Sequence, residues 1–291
     1  MIYFFKRKVN TMVDYKTYGL LGEEVSKSIS PQIYNALFQK LEDPAVYLPY
    51  PVPRDKFISA LPVLRSYFSG FTVTSPYRLD IMAHLDKLDE SARRVGATNT
   101  VKIENGKTVG YNTDRDAFEK SLIGFAGNLF DKDVLLIGSG GAAYAASNVL
   151  LEKGAFLTIV SRNYAKAIEL QTFLQKRYNK NRIKVIKGLS HSDEFHAVFN
   201  AAAVDIESKQ SEISIHTHTY QSMKYAYDVS YYNTAFLRKA TEFGCKIKNG
   251  FDMLFYHAVG AVKIWTNDHS GIDPMMLSEV YESIKRDIES K

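Results

Sequence analysis

The sequence predicts an α/β protein of two domains, an N-terminal α/β domain and a doubly wound parallel sheet. Three observations carry that reading. Strand-type apolar runs alternate with helix-type segments along most of the chain, the pattern of parallel strands covered on both faces. Val134, Leu135, Leu136 and Ile137 run directly into Gly138–Ser139–Gly140–Gly141–Ala142–Ala143, and an alanine-rich stretch of helical composition follows. The 291 residues, 45% of them hydrophobic, suffice for two ordinary domains with a sizeable core.

Each element has its own signal. Residues 18–22 read as a strand. Ser30 and Pro31 open a helix to about residue 40, with Ser30 as N-cap and Pro31 at the first helical position. Residues 45–52 form a second strand, broken by prolines, and 54–67 have helical spacing. A third strand, 70–74, is ended by Ser75–Pro76. Strands at 98–103 and 108–111 flank Asn105–Gly106, a strong hairpin turn. Asp86, Asp89 and Glu90 read as a solvated charged patch, and residues 115–125 as a helix. In the second half, strands are expected at 134–137, 156–160, 183–186, 197–200, 226–229 and 246–247, with helices at 142–153 and 164–177. Helices at 251–267 and 274–290 close the chain, separated by the break from Ser270 to Pro274.

Composition narrows the function classes. The net charge of +5 is spread along the chain; Lys6–Arg7–Lys8 is the only tight basic run and reads as a solvated tail. No interleaving of basic and aromatic residues marks nucleic-acid binding, and no apolar run approaches the length of a membrane span. Cys245 is the single cysteine, so no intramolecular disulfide forms; this fits a reducing, cytoplasmic setting, with Cys245 as a small buried apolar group. Residues 1–11 read as an extension or a start-site artefact, because Met12 directly precedes the first strand signal. His216 and His218 have no cysteine or carboxylate ligand nearby in sequence, so no metal is expected. His84, His191, His196 and His269 read as surface or core residues. The expected partner is a small molecule, with monomer and homodimer both open.

The glycine-rich turn carries the strongest chemical signal. Between a strand and a helix, Gly138 permits the tight turn, Gly140 lets the backbone approach a pyrophosphate, and Ala143 lets helix and strand pack closely. Gly138, Ser139, Gly140, Gly141 and Ala142 are therefore candidate cofactor contacts in a Rossmann-type domain. At the end of the next strand, where NAD-binding chains usually carry an acidic residue, stands Ser161, followed by Arg162, Asn163 and, one helical turn on, Lys166. A carboxylate would repel a 2′-phosphate, whereas Arg162 can hold one with a bidentate fork and Lys166 can add a point charge. The expected cofactor is NADP(H) rather than NAD; the bland alternative is a surface arginine.

Short segments in order then converge on one family. These are Gly19–Leu20–Leu21–Gly22, Lys27–Ser28–Ile29–Ser30–Pro31 with Asn35, and Phe71–Thr72–Val73–Thr74–Ser75–Pro76–Tyr77–Arg78. Gly96–Ala97–Thr98–Asn99–Thr100, Gly110–Tyr111–Asn112–Thr113–Asp114, the glycine loop and Ser161–Arg162 follow. Asp228–Val229–Ser230–Tyr231, Asn249–Gly250–Phe251–Asp252–Met253–Leu254 and Trp265 complete the set. Over roughly residues 17–275 the chain resembles shikimate dehydrogenases, including the quinate/shikimate group. The resemblance implies reversible NADPH-dependent reduction of 3-dehydroshikimate to shikimate, in aromatic amino acid biosynthesis. It implies a substrate-binding domain of residues 1–114 plus 252–291, a nucleotide domain of 115–251, and a substrate cleft between them. Ser28 and Ser30 match hydroxyls that hold the substrate carboxylate; Thr74, Asn99, Tyr231 and position 257 match substrate contacts; Asp114 matches half of the catalytic pair; Gly250 matches a cofactor position.

Short hydroxyl and amide donors on loops at strand ends suit a polyhydroxylated anion. Taken singly, Ser30 and Asp114 serve equally as helix N-caps, Thr74 as a strand end, Asn99 as a turn residue and Tyr231 as a packed tyrosine. Three departures from the family pattern fall in the site: Arg78 replaces the catalytic lysine, Thr72 an asparagine, and His257 a glutamine. Hydride transfer to a ketone builds charge on oxygen that must be stabilised and protonated. Arginine stays protonated and is a poor proton donor. Three outcomes follow. Arg78 acts as electrophile while Asp114, His257 or water handles the proton; or the enzyme is slow; or the substrate differs, as quinate or another polyol acid with NAD. A binding protein sensing NADPH or a shikimate-like ligand is the competitor from another class. In the nucleotide domain, Asn200–Ala201–Ala202–Ala203 lacks a family threonine, and Tyr144 stands where an arginine often follows the glycine loop.

Overall fold

The structure, a computed structural model, describes residues 15–202, 206–207, 212–267 and 272–289. The readings of residues 1–11, Met12, Ala203, His269 and Ser270–Gly271 lie outside them. Two six-stranded sheets organise the chain. The first contains β1 (Lys16–Gly22), β2 (Ala45–Pro51), β3 (Gly70–Val73), β4 (Lys87–Leu88), β5 (Thr100–Glu104) and β6 (Lys107–Tyr111), in the order β2-β1-β3-β5-β6-β4. Strand β1 is parallel to β2 and β3, and β5 is antiparallel to β3 and β6. Strands β1, β3 and β6 therefore run the same way, and the segments leaving all three emerge at one edge of the sheet.

The helices of this half are α1 (Ser30–Lys40), α2 (Phe57–Tyr67) and α3 (Glu90–Val95), with α4 (Asp114–Ser121) leading into the second half. There the sheet holds β7 (Asp133–Ile137), β8 (Phe156–Val160), β9 (Ile183–Ile186), β10 (Ala197–Asn200), β11 (Tyr225–Asp228) and β12 (Lys246–Lys248). Its order is β12-β11-β10-β7-β8-β9, and every pairing is parallel. Strand order reverses between β7 and β10, and in such sheets ligands bind in the crevice beyond the strand C-termini at that switch point. Helices α5 (Gly141–Glu152), α6 (Tyr164–Gln175), α7 (Thr217–Ser222) and α8 (Ala235–Glu242) connect these strands.

The chain then returns. Helices α9 (Phe251–Thr266) and α10 (Pro274–Glu289) bury Phe251, Phe255, Trp265, Val280 and Ile284 against Tyr18, Tyr34 and Phe38 of the first half. Trp265 stacks on Tyr18 at 4.3 Å and donates its indole N–H to the Val101 carbonyl at 3.0 Å. Helix α4 buries Phe118 with Phe199 and Tyr227 of the second sheet.

Several expectations need correction. Pro49 and Pro51 do not break β2, which is an edge strand, where a missing N–H costs no ladder bond. Ser30 is not the N-cap of α1: Ile29 holds that position without a side-chain cap, and Ser30 lies inside the helix. The 115–125 helix ends at Ser121. The acidic patch is solvent-facing as expected, with surface partners besides: Asp89 caps α3 through the Ser91 N–H, and Asp86 accepts from Thr108 N–H at 2.8 Å and faces Arg65 at 3.0 Å. The possible loop at His216–His218 is instead the start of α7, with His218 beside Glu194 at 2.8 Å. Among the described residues no group of three or more His, Cys, Asp or Glu could hold a metal ion, and no helix is long and apolar enough to cross a membrane. Cys245 is buried, its thiol directed at the Tyr220 and Met223 carbonyls.

Candidate active site

A cleft of about 680 Å³ lies between the lobes, where the loops after β1, β3 and β6 face the loops after β7, β8 and β11. Ser28, Ser30, Thr74, Arg78 and Asp114 line it from the first side. Gly138, Ser139, Gly140, Gly141, Ala142, Ser161, Arg162, Asn163 and Lys166 line it from the second, with Tyr231, Gly250 and His257. Asn99 does not line it. That residue is fully buried behind the wall, so it reaches the cleft only through its neighbours.

The hydroxyl cluster is locally organised. Ser28 Oγ donates to Ser30 Oγ at 3.0 Å and accepts the Ser30 backbone N–H at 3.2 Å. Thr74 is fixed by its N–H to Leu21 O at 2.8 Å, which ties the ends of β1 and β3 together. Tyr231 leans across with its hydroxyl 3.3 Å from Lys27 O. Lys27 and Arg54 also line the cleft; the sequence reading gave neither a role, although Lys27 opens the Lys27–Pro31 segment, and Arg54 carries no spacing signal.

Asp114 and Arg78 meet here. Arg78 Nη1 stands 3.1 Å from Asp114 Oδ2, and Arg78 Nε donates to the Val73 carbonyl at 3.0 Å. Asp114 is buried and does not cap its helix; Asn112 Oδ1 takes the Arg115 N–H instead. The Arg78 contact is an ion pair without hydrogen-bond alignment, so Oδ2 keeps unused hydrogen-bonding capacity.

His257 is held by its neighbours. Thr113 N–H donates to Asn99 Oδ1 at 2.9 Å, which turns the Asn99 amide nitrogen toward His257 Nδ1 at 2.8 Å. An amide nitrogen only donates, so Nδ1 is the acceptor and the proton sits on Nε2. Nε2 in turn faces the Tyr34 hydroxyl at 3.2 Å, and Thr113 Oγ1 lies 2.7 Å from Nδ1. Tyr34, four residues after Ser30 on the same helix, was not anticipated; the i, i+4 spacing was the available signal. Burial pushes the His257 imidazole down to about 4, with the Asp114 carboxylate opposing and the Arg78 guanidinium adding to the shift. His257 is therefore neutral near pH 7, its 3.7 Å approach to Asp114 Oδ1 is no ion pair there, and it is not the proton donor.

That shift sets a pH dependence. Above pH 6.5 the imidazole is neutral folded and unfolded, and contributes nothing. Between 6.5 and about 4 only the unfolded chain takes up the proton, so stability falls as pH falls through that window, by on the order of 3 kcal/mol. Urea unfolding at pH 7 and pH 4.5 should show a smaller loss for His257→Gln than for the parent protein. Equal losses would remove His257 from this account.

Thr72 and Tyr144, also singled out in the sequence, lie away from the cleft. Thr72 is buried and bonds the Tyr47 hydroxyl rather than lining the cleft. Tyr144 is buried beside Phe173. In the nucleotide lobe, Ser139 Oγ bonds Ser161 Oγ at 2.8 Å and ties the glycine loop to the end of β8. Asn163 caps α6 through the Lys166 N–H at 3.1 Å. Arg162 and Lys166 are exposed at the cleft rim, and among the described residues neither pairs with a carboxylate. Gly250 donates its N–H to Ser230 O at 2.8 Å where α9 begins.

A βαβ glycine loop at a switch point, opposed across a cleft by a buried carboxylate paired with a partly exposed guanidinium, defines a two-lobed oxidoreductase of the dinucleotide-binding class. Residues 20–101 match the family model of the shikimate dehydrogenase substrate binding domain, and the NADP(+) shikimate dehydrogenase of Nitrosopumilus maritimus is 34% identical over 86% of this chain and 93% of its own. The chain belongs to the shikimate dehydrogenase family. The crystal structure of shikimate dehydrogenase from Aquifex aeolicus aligns over 91% of this chain and 97% of its own, with a TM-score of 0.77 and 30% identity. That from Thermus thermophilus, in complex with NADP(H) and shikimate, covers 92% and 99%, with a TM-score of 0.74 and 26% identity.

Proposed function

We propose that this protein catalyses the NADP-dependent, reversible reduction of 3-dehydroshikimate to shikimate. The observation that carries it is the Arg78–Asp114 pair standing in the same cleft as the glycine loop and the Ser28–Ser30 hydroxyls. In this reading residues 1–114 and 252–291 bind the substrate and 115–251 the nucleotide. Every proposed contact comes from one chain, which suits a cytoplasmic enzyme working as monomer or homodimer alike.

The residues present fit the nucleotide. A Cβ added at Gly140 would meet no heavy atom within 4 Å, so the loop backbone is open to a pyrophosphate. Beyond Ser161, the cations Arg162 and Lys166 suit a 2′-phosphate. When bound, the nicotinamide supplies or accepts the hydride. The remaining work falls to side chains. Ser28 and Ser30 hold the substrate carboxylate, with Thr74 and Tyr231 beside them. Arg78 directs its N–H groups and positive charge at the oxygen where negative charge develops. Asp114 Oδ2, with its unused capacity, takes the hydroxyl proton in oxidation and returns it in reduction. Arg78 and His257 cannot fill that role, one because it does not deprotonate and the other because it carries no extra proton near pH 7.

Shikimate oxidation followed at 340 nm with NADP+ and NAD+ tests the reading, with quinate as competing substrate. NADP+ reduction on shikimate is expected. Turnover only with quinate and NAD+ would move the chain to the polyol-acid relatives, and binding without turnover would make it a sensor. Arg162→Ala is expected to raise the KM for NADP+ by about 10-fold or more, the scale of one lost charge-assisted contact, and to leave that for NAD+ little changed. Equal changes for both would remove the 2′-phosphate role.

A further inference from the structure

Two neighbouring glycines of the nucleotide loop face opposite surroundings. Gly140 looks into open space. Gly141, the first residue of α5, does not: a Cβ there would stand 2.6 Å from Arg78 Cβ, 2.6 Å from Arg78 Cδ and 3.2 Å from Arg78 Cγ. Ordinary contacts begin near 3.4 Å. The stem of an arginine from the substrate lobe therefore lies directly on the backbone of a glycine in the nucleotide lobe.

That stem has little freedom elsewhere. The Thr98 N–H donates to the Arg78 carbonyl at 2.9 Å, Arg78 Nε reaches Val73 O at 3.0 Å, and Nη1 reaches Asp114 Oδ2 at 3.1 Å. Moving the stem off Gly141 would break one of these contacts or push α5 away. The Cβ atom is not the far end of a flexible chain, so rotation about the side chain's outer bonds does not relieve the conflict.

We propose that Gly141 is a positioning residue for Arg78: its missing side chain is the surface on which the arginine lies, so the nucleotide lobe sets where the guanidinium stands in the substrate lobe. The role of this glycine is thus distinct from the pyrophosphate approach assigned to Gly140, and it rests on the dehydrogenase reading only in its assay.

A cycle of Gly141→Ala, Arg78→Gly and the double variant tests it, read as kcat, KM and calorimetric NADPH affinity. Gly141→Ala is expected to lower kcat by about 10-fold or more, since displacements near 1 Å can cost about 100-fold, a loss larger than any it causes in NADPH affinity. In the Arg78→Gly background the same substitution should have little effect on kcat, because the atoms it strikes are gone. An unchanged kcat, an equal loss in both backgrounds, or a loss confined to NADPH affinity overturns the proposal. If the parent protein shows no turnover, the dehydrogenase reading falls, and the cycle is read in the unfolding midpoint. There, a shift from Gly141→Ala only when Arg78 is present supports the contact, and equal shifts overturn it. If Gly141→Ala fails to fold, recovery of folding in the double variant supports it and continued failure overturns it.

Discussion

Asp114→Asn is expected to lower kcat for shikimate oxidation by about 100- to 10,000-fold, the usual range for a lost general base. The substitution keeps the shape of the side chain and an oxygen facing Arg78, but an amide cannot take a proton from the substrate hydroxyl. The effect should fall mainly on kcat, because the Ser28 and Ser30 hydroxyls proposed to hold the substrate, and the glycine loop, are untouched. A modest drop in stability accompanies it, since the Arg78 guanidinium, 20% exposed, loses its ionic partner. A variant retaining more than half of the parent kcat would end the assignment of Asp114 Oδ2 as proton acceptor and return that role to solvent.

Arg78 gives the second large effect. Arg78→Ala removes the guanidinium that touches Asp114 in the cleft and should cost about 100- to 1,000-fold in kcat, the scale of one lost oxyanion donor. Arg78→Lys is the sharper experiment, because it introduces the lysine that the sequence resemblance leads one to expect at this position. The arginine is held at two points of its planar fork, Nε on Val73 O and Nη1 on Asp114 Oδ2. A lysine has one nitrogen and can satisfy only one of them at a time. Arg78→Lys is therefore expected to lower kcat, and to add an alkaline limb to the kcat–pH profile as the ammonium deprotonates. A strong rise in kcat instead would mean that the arginine is a handicap this site merely tolerates.

The neutral His257 sharpens both expectations. With its proton fixed on Nε2 by Asn99 and its pKa near 4, it cannot replace Asp114 as acid or Arg78 as cation above pH 6. Positions 72, 78 and 257 are thus not equivalent. Thr72 bonds the Tyr47 ring behind the wall, Tyr47 stacks on Tyr34 at 4.0 Å, and Tyr34 meets His257. Arg78 alone of the three carries charge into the cleft.

Local patterns were legible because each has a local cause. The turn at Gly138, with φ of +114°, the hairpin at Asn105–Gly106 and the alternation of β7, β8 and β9 with α5 and α6 follow from backbone sterics and apolar periodicity over a few residues. So did most of the cleft wall, since loops after parallel strands must emerge at one sheet edge. The errors lie where distant partners decide. Prolines were read as breaking β2 because a sequence does not show that a strand is an edge. Ser30 and Asp114 were open to capping roles, yet Ile29 and Asn112 Oδ1 stand at those helix starts, leaving the hydroxyl and the carboxylate to face the cleft.

By itself, the sequence determined the two-lobed α/β architecture, the glycine loop and the residue types available for an anionic polyol and a 2′-phosphate, because these depend on composition and short-range spacing. Only the tertiary structure decided that Asn99 works from behind His257, that this imidazole stays neutral, and that Arg78 lies on Gly141. Those outcomes depend on burial and on contacts between residues 63 to 158 positions apart in the chain (Arg78 with Gly141, Asn99 with His257), and no local pattern encodes such distances.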